Sequence, residues 1–74
     1  MERKPVQSSN LVSIGYDEAK QVLEVEFSGG GVYLYQEVPK QIFEEFMAAP
    51  SLGRYFYSGI RDRFQTEKVL RTYG

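Results

Sequence analysis

The sequence predicts an α+β domain in which a three-stranded antiparallel β-meander packs against one α-helix and a second, shorter C-terminal helix. Three observations lead to this fold class. Two early segments alternate apolar and polar residues, three consecutive glycines precede a third such segment, and the C-terminal half carries apolar residues at helical spacing. The chain has 74 residues, which is the length of one domain. We expect a single domain over residues 1–74, with a core at about 8–64 and flexible termini.

The strands are predicted from the alternation of their side chains, which point to opposite faces of a sheet in turn. Residues 10–17 (NLVSIGYD), 21–27 (QVLEVEF) and 32–38 (VYLYQEV) each follow this pattern. In the first strand the residues that share the apolar face are Val12, Ile14 and Tyr16. In the second and third strands the residues expected to face the core are Leu23, Val25, Phe27, Tyr33 and Tyr35.

The third strand begins directly after Gly29, Gly30 and Gly31. Glycine adopts positive φ without steric cost, so these residues predict a hairpin turn. A phosphate loop is followed by a helix, whereas a strand is predicted here, so the glycine run is not interpreted as a phosphate loop. Tyr33 and Tyr35 then allow two interpretations, a platform that stacks nucleic-acid bases or part of the core. Stacking contributes about 1–3 kcal/mol per base, whereas burial of a tyrosine contributes about 4–6 kcal/mol gross, and the core interpretation is therefore favoured.

Proline residues mark the boundaries of the predicted helices. Pro39 ends the third strand and begins an amphipathic helix over residues 39–49, which Pro50 stops. Ser51 is a good N-cap for the second helix, and Gly59 either lies within that helix or ends it. The apolar residues that recur every fourth position in this segment are Leu52, Phe56, Ile60 and Phe64. Residues 65–74 are polar, and we expect them to extend a helix or to fray.

The composition excludes several kinds of site. The chain contains no Cys and no His, so it has no disulfide, no thiolate metal site, no cysteine nucleophile and no imidazole proton shuttle. Ser8, Ser9, Ser13, Glu24 and Glu26 are interpreted as surface residues, because no histidine can activate the serines and no metal ligand accompanies the glutamates. We expect no catalytic residues, no cofactor and no metal. No signal peptide or membrane span is predicted, and we expect a cytoplasmic protein.

Charge is distributed unevenly along the chain. Residues 1–50 carry four Lys+Arg and eight Asp+Glu, a net −4, and residues 51–74 carry five and two, a net +3, which together give the formal net charge of −1. The low pI of about 5.3 lacks the domain-wide basic character of a strong nucleic-acid binder. A basic C-terminal third could nevertheless meet an anionic partner.

The basic segment provides the strongest nucleic-acid feature of the sequence. Arg54, then Tyr57 or Ser58, and Arg61 fall on one face if the second helix continues through Gly59, and Arg63 adds charge nearby. Arginine binds phosphates bidentately and stacks on bases, which points to RNA binding. The alternative is a solvated helix face whose arginines pair with nearby carboxylates. The carboxylates considered for that pairing are Glu44, Glu45 and Asp62.

The order of these features resembles the KTSC domain, a small bacterial family that stands alone or forms the C-terminus of some lysyl-tRNA synthetases. The resemblance covers about residues 8–64. The matching residues are Tyr16-Asp17, Tyr33-x-Tyr35, Val38-Pro39, Ser51-x-Gly53, Tyr55-Phe56 and Ile60-Arg61. The resemblance implies a small domain and, through the synthetases, RNA binding.

We therefore expect a small, non-catalytic binding module. The first hypothesis is that it binds RNA through Arg54, Tyr57, Arg61 and Arg63. The second is a protein partner or a homodimer, since a thin core and exposed aromatic residues gain from burial in an interface. The two hypotheses differ in the salt dependence of binding.

Overall fold

The computed structural model describes residues 3–69, which form five strands and two helices. In chain order the elements are β1 (Arg3–Pro5), β2 (Leu11–Asp17), β3 (Val22–Phe27), β4 (Val32–Tyr35), α1 (Lys40–Ala48), α2 (Leu52–Gly59) and β5 (Thr66–Lys68). The strands make one antiparallel sheet whose order, β1-β2-β3-β4-β5, is the order of the chain. The α+β class, the antiparallel sheet and the two helices are confirmed, whereas the expected number of three strands is wrong.

The two additional strands are short and lie at the edges of the sheet. β1 pairs with β2, and β5 pairs with β4, so both are outside the segment 8–64. The expectation that residues after 64 extend a helix or fray is corrected for Thr66–Lys68, which are held in the sheet by β4. Residues 70–74 lie outside the described part of the chain.

The glycine run forms the predicted hairpin turn between β3 and β4. The Phe27 amide donates to the Gly31 carbonyl (2.8 Å), and the Gly30 amide donates to the Phe27 carbonyl (2.9 Å). Gly30 has a φ of +101°, which a residue with a Cβ rarely adopts. The turn therefore depends on glycine at this position.

A β-bulge changes the inward face of β2. The register with β3 shifts between Leu11 and Ser13, so the alternation counted from the sequence is broken there. Leu11 is 2% exposed and belongs to the core, whereas Val12 is 41% exposed. The prediction that Val12 shares the inward face with Ile14 is therefore wrong.

The core lies between one face of the sheet and the two helices. Leu23 and Val25 are fully buried, as their alternation predicted, and α1 and α2 contribute Phe46 and Phe56. The complete buried cluster consists of Leu11, Ile14, Leu23, Val25, Tyr35, Val38, Phe46, Phe56 and Ile60. Apolar burial of this kind is the main stabilising contribution in so short a chain.

The opposite face of the sheet carries a polar cluster that corrects the surface interpretation of Ser13 and the glutamates. Ser13 is 8% exposed, and its hydroxyl donates to Glu26 (2.8 Å). An Arg3 guanidinium nitrogen lies 3.9 Å from a Glu24 carboxylate oxygen and 3.8 Å from a Glu26 carboxylate oxygen. These groups are half-buried, and the ion pairs connect β1 to β3 across β2.

The end of α2 decides where the arginines lie. The Ser51 hydroxyl accepts from the Arg54 amide (3.3 Å) and caps the helix, as predicted. At the other end the Ile60 and Arg61 amides both donate to the Phe56 carbonyl (3.0 and 2.8 Å), and the helix stops at Gly59. Of the two alternatives for Gly59, the structure has the helix end, and Arg61 follows α2 instead of continuing it.

Neither helix among residues 3–69 has the length and apolar character needed to cross a bilayer.

Candidate nucleic-acid interface

A groove of about 630 Å³ lies between the glycine turn, the end of α2 and β5. We refer to it as the aromatic groove. Its lining residues are Phe27, Gly29, Gly30, Gly31, Tyr33, Tyr35, Phe56, Tyr57, Arg61 and Lys68. Its size is in the range of small-ligand sites, and aromatic residues with a few polar groups are typical of such sites.

The base of the aromatic groove is a set of rings in edge-to-face contact. The Phe27 ring lies 5.5 Å from the Tyr33 ring and 5.2 Å from the Phe56 ring, measured between centroids, with interplanar angles of 77° and 67°. Phe56 also contacts Tyr35 (5.5 Å, 81°) and Tyr57 (5.4 Å, 71°). Edge-to-face packing is a favourable geometry for aromatic pairs, so these contacts hold the rings at the base of the groove in place.

The two tyrosines of β4 occupy different environments. Tyr35 is 3% exposed and belongs to the core, while Tyr33 is half-buried and packs against the edge of the core. Both also line the aromatic groove. The core interpretation therefore holds for Tyr35, which also reaches the groove. Tyr33 is only partly in the core and forms part of the groove wall.

Burial raises the pKa of Tyr35 from 10.0 to about 12, and the neighbouring Tyr33 adds to the shift. Burial also raises the pKa values of Tyr16 and Tyr55. Because the folded state holds these phenols neutral where the unfolded chain would ionise, this contribution to stability is complete below pH ~10 and is lost as the pH rises towards ~12.

We therefore expect the urea midpoint of unfolding to fall steadily between pH ~9 and ~11.5, in the region where the unfolded tyrosines ionise. The Tyr35→Phe variant should show a shallower fall, with the remainder due to Tyr16 and Tyr55. Circular dichroism at constant ionic strength measures both. Identical pH profiles for the two proteins would contradict the burial of the Tyr35 hydroxyl.

Tyr57 and Arg61 are the predicted site residues that the structure brings together. Tyr57 is 50% exposed, and the guanidinium carbon of Arg61 lies 5.5 Å from the centre of its ring, a cation–π arrangement. Both residues line the aromatic groove. The pair presents a flat ring and a planar cation at the same surface.

Arg54 and Arg63 lie elsewhere. Arg54 lines a second cavity of about 560 Å³, formed by the loop before β2 and the start of α2, and Tyr57 lines this cavity as well. Arg63 lines neither cavity, and its guanidinium carbon lies 5.8 Å from the centre of the Phe64 ring. The predicted set is therefore divided among two cavities and a separate surface.

The arginines of this region do not form the ion pairs proposed as the alternative. Among residues 3–69, the ion pairs are those of Arg3 and of Lys40, which lies 3.4 Å from Glu18. Glu45 instead accepts hydrogen bonds from Tyr55 (2.9 Å) and Gln41 (3.3 Å). The guanidinium groups are thus available to an external anion.

Lys68 and the glycine turn are site residues that the sequence reasoning missed. Lys68 pairs with Tyr33 in the sheet register, and this pairing places it at the aromatic groove. A Cβ at Gly29 or Gly30 would meet no atom within 4 Å, so the turn leaves this side of the groove open. No sequence signal identified Lys68, because its strand is three residues long and fully exposed.

Comparison with known proteins places the chain in a family. A model of the KTSC domain matches residues 7–64. The chain belongs to the KTSC domain family. The resemblance noted in the sequence is thereby confirmed, and the crystal structure of a KTSC domain protein from Yersinia pestis superimposes with a TM-score of 0.90 at 41% identity, covering 92% of this chain and 96% of that one.

Relatives of this KTSC domain occur alone and inside larger proteins. A protein of Tsukamurella paurometabola is 44% identical over 62 residues, which cover 84% of this chain and 92% of the relative. A protein of Stutzerimonas stutzeri is 50% identical over 56 residues, which cover 76% and 79%. A lysine–tRNA ligase of Trichormus variabilis is 41% identical over 63 residues, which cover 85% of this chain and 11% of the ligase.

Several residues that carry the family resemblance hold the KTSC fold together. The Tyr16 hydroxyl donates to the Val38 carbonyl and so joins β2 to the segment before α1. Ser51 caps α2, and Tyr55 stacks on Phe46 with ring centroids 5.7 Å apart. These residues identify the family through its fold and do not line the aromatic groove.

The charged side chains that line the aromatic groove are cationic. Within the described part of the chain its charged lining residues are Arg61 and Lys68, and no Asp or Glu lines it. No cluster of three or more potential metal ligands occurs within residues 3–69. The groove therefore offers cations, phenol groups and backbone groups to a ligand.

Proposed function

We propose that this KTSC domain is a non-catalytic module that binds RNA through the aromatic groove. The observation that carries the proposal is the Tyr57 ring with Arg61 stacked on it and Lys68 in the same groove, which no carboxylate of the described residues lines. An exposed aromatic ring stacks on a base, and each such contact contributes about 1–3 kcal/mol. Arg61 and Lys68 supply cations that can bind the phosphates of the RNA backbone.

The relatives support the same function. The ligase of Trichormus variabilis is named for attaching lysine to a tRNA, and it contains a segment 41% identical to this chain. A domain carried by a protein that handles tRNA is well placed to contact RNA. The link through the ligase is an analogy, and the chemistry of the aromatic groove is the physical support for RNA binding.

The direct test is a titration of ¹⁵N-labelled protein with a tRNA transcript and with short RNAs at low salt. We expect the largest amide shifts at Tyr57, Arg61 and Lys68, and an affinity that falls as salt rises, because cation–phosphate contacts release counterions. Absence of any shift at these residues at low salt, with both kinds of RNA, would refute the proposal.

A matched pair of arginine variants tests the position of the site. We expect Arg61→Gln to weaken RNA binding about five- to tenfold, because it removes both a phosphate donor and the cation stacked on Tyr57. Arg63→Gln removes the same charge outside the groove and should change the affinity by less than about twofold. Fluorescence anisotropy with labelled RNA measures both. Equal losses would mean that net charge, and not the groove, governs binding.

A protein partner or a homodimer is the second candidate function. Met47 is 36% exposed and lines the second cavity together with the exposed Tyr57, so an apolar partner could cover both. Sedimentation equilibrium at high and low salt distinguishes this candidate. A dimer that persists at high salt and is dissociated by Met47→Glu would support a homodimer. A monomer at both salt concentrations would exclude it.

A further inference from the structure

Tyr57 separates two cavities and lines both of them. On one side is the aromatic groove with Arg61 and Lys68, and on the other is the second cavity with Arg54. One exposed ring therefore stands between cations on two sides. A ligand that lies across Tyr57 would meet positive charge before and after the ring.

The charged side chains that line the two cavities are all cationic. The chain contains ten Asp+Glu and its pI is about 5.3, yet no Asp or Glu among residues 3–69 lines either cavity. The cations of the two linings are Arg54, Arg61 and Lys68. On an acidic protein, these linings place positive charge on both sides of Tyr57, an arrangement that favours a polyanion.

The second cavity also offers polar groups that suit a sugar–phosphate chain. Its lining includes Ser8, Asn10 and Gly53. A Cβ placed on Gly53 would lie 3.8 Å from the Asn10 side-chain nitrogen and 3.9 Å from the Ser8 hydroxyl oxygen. The start of α2 therefore lies beside the side-chain amide of Asn10, next to Arg54 in the sequence.

We propose that RNA binds this surface as an unpaired strand that crosses Tyr57, with one base on the Tyr57 ring and successive phosphates on its two sides. One phosphate meets Arg61 and Lys68, and the next meets Arg54. The proposal rests on the proposed function and makes it more specific, since it names the form of the RNA and its path. A duplex does not meet the requirement, because its bases are stacked on each other and present no free face to the ring.

The test compares uridine monophosphate, a uridine tetranucleotide and a short RNA duplex in NMR titrations. The mononucleotide reaches one cavity, and the tetranucleotide is long enough to reach both. We expect Lys68→Gln to weaken both single-stranded ligands about fivefold. We expect Arg54→Gln to weaken the tetranucleotide by the same factor and to leave uridine monophosphate unchanged. Arg63→Gln is the control and should change either affinity by less than about twofold. Thermal unfolding verifies that all variants are folded.

Three results would overturn the proposal without overturning RNA binding itself. The duplex could bind as tightly as the tetranucleotide, which would make base stacking on Tyr57 irrelevant. Arg54→Gln could leave the tetranucleotide affinity unchanged while Lys68→Gln lowers it, which would confine the ligand to the aromatic groove. Tyr57→Ala could leave the tetranucleotide affinity unchanged. Absence of binding by every RNA tested would instead refute the proposed function.

Discussion

Replacement of Phe46 by alanine is expected to leave most of the protein unfolded at room temperature. The Phe46 side chain of α1 is fully buried, and its ring stacks on Tyr55 at an interplanar angle of 24°. Truncation of a buried phenylalanine costs about 3–5 kcal/mol, from lost burial and from the cavity left behind. A single core in a chain of this length rarely provides more than about 3–5 kcal/mol of net stability. The cost of the truncation is therefore nearly equal to the whole free energy of unfolding.

Met47 provides the matched control, because it is the next residue of the same helix and is 36% exposed. Met47→Ala should change the free energy of unfolding by less than about 1 kcal/mol. Urea titration followed by far-ultraviolet circular dichroism measures both variants. If Phe46→Ala unfolds at a midpoint close to that of Met47→Ala, α1 does not pack on the sheet as described.

The second large effect is expected for Phe56→Leu, which should lower both stability and RNA affinity. Phe56 is 3% exposed and touches the rings of Phe27, Tyr35 and Tyr57. Each aromatic pair contributes about 0.5–1.5 kcal/mol beyond burial, and we expect a total loss of about 2 kcal/mol. Without the edge contact from Phe56 the Tyr57 ring is no longer fixed, and we expect RNA to bind about tenfold more weakly.

Phe43→Leu is the control for the second experiment. Phe43 also forms an aromatic pair, stacking on Tyr16 with centroids 4.5 Å apart and an interplanar angle of 7°, but it does not line the aromatic groove. We expect this variant to lose about 1 kcal/mol of stability and to bind RNA as the parent protein does, provided that both are assayed well below their unfolding midpoints. An unchanged RNA affinity in Phe56→Leu would show that the groove does not depend on this ring.

The features that local sequence determines were predictable. Alternation placed Leu23 and Val25 on the inward face of β3, and both are fully buried. The glycine run required a turn with positive φ, which Gly30 has. Ser51 was recognised as an N-cap because a serine hydroxyl readily accepts from the amide three residues later. These predictions need only the residues within one element or turn.

The features that depend on distant pairing were not predictable. β1 and β5 contain three residues each and carry mostly polar side chains, so neither shows a strand pattern without its partner. Lys68 reaches the groove only because β5 pairs with β4. The β2 bulge likewise is a property of two strands, since one extra residue in β2 opposes β3.

The candidate site was predicted in part for a similar reason. The basic and aromatic segment pointed to Tyr57 and Arg61, which lie together. The positions of Arg61 and Arg63 relative to Arg54 depend on the end of α2 at Gly59, for which the sequence left two alternatives. When a helix ends one residue earlier or later, the side chains that follow point in another direction. The spacing of the arginines in the sequence therefore did not define which of them share a surface.

The position of β5 has a consequence for the order of folding. β1, β2, β3 and β4 each pair with a strand reached through a short connection, and such local contacts form at little entropic cost. β5 instead returns to β4 after residues 36–65, which include both helices, so its docking closes the longest loop in the sheet. During synthesis β5 is also the last described element to leave the ribosome. We therefore expect Lys68 to join the groove in a late step, so that a nascent chain acquires the complete RNA-binding surface that we propose only when nearly the whole domain has assembled.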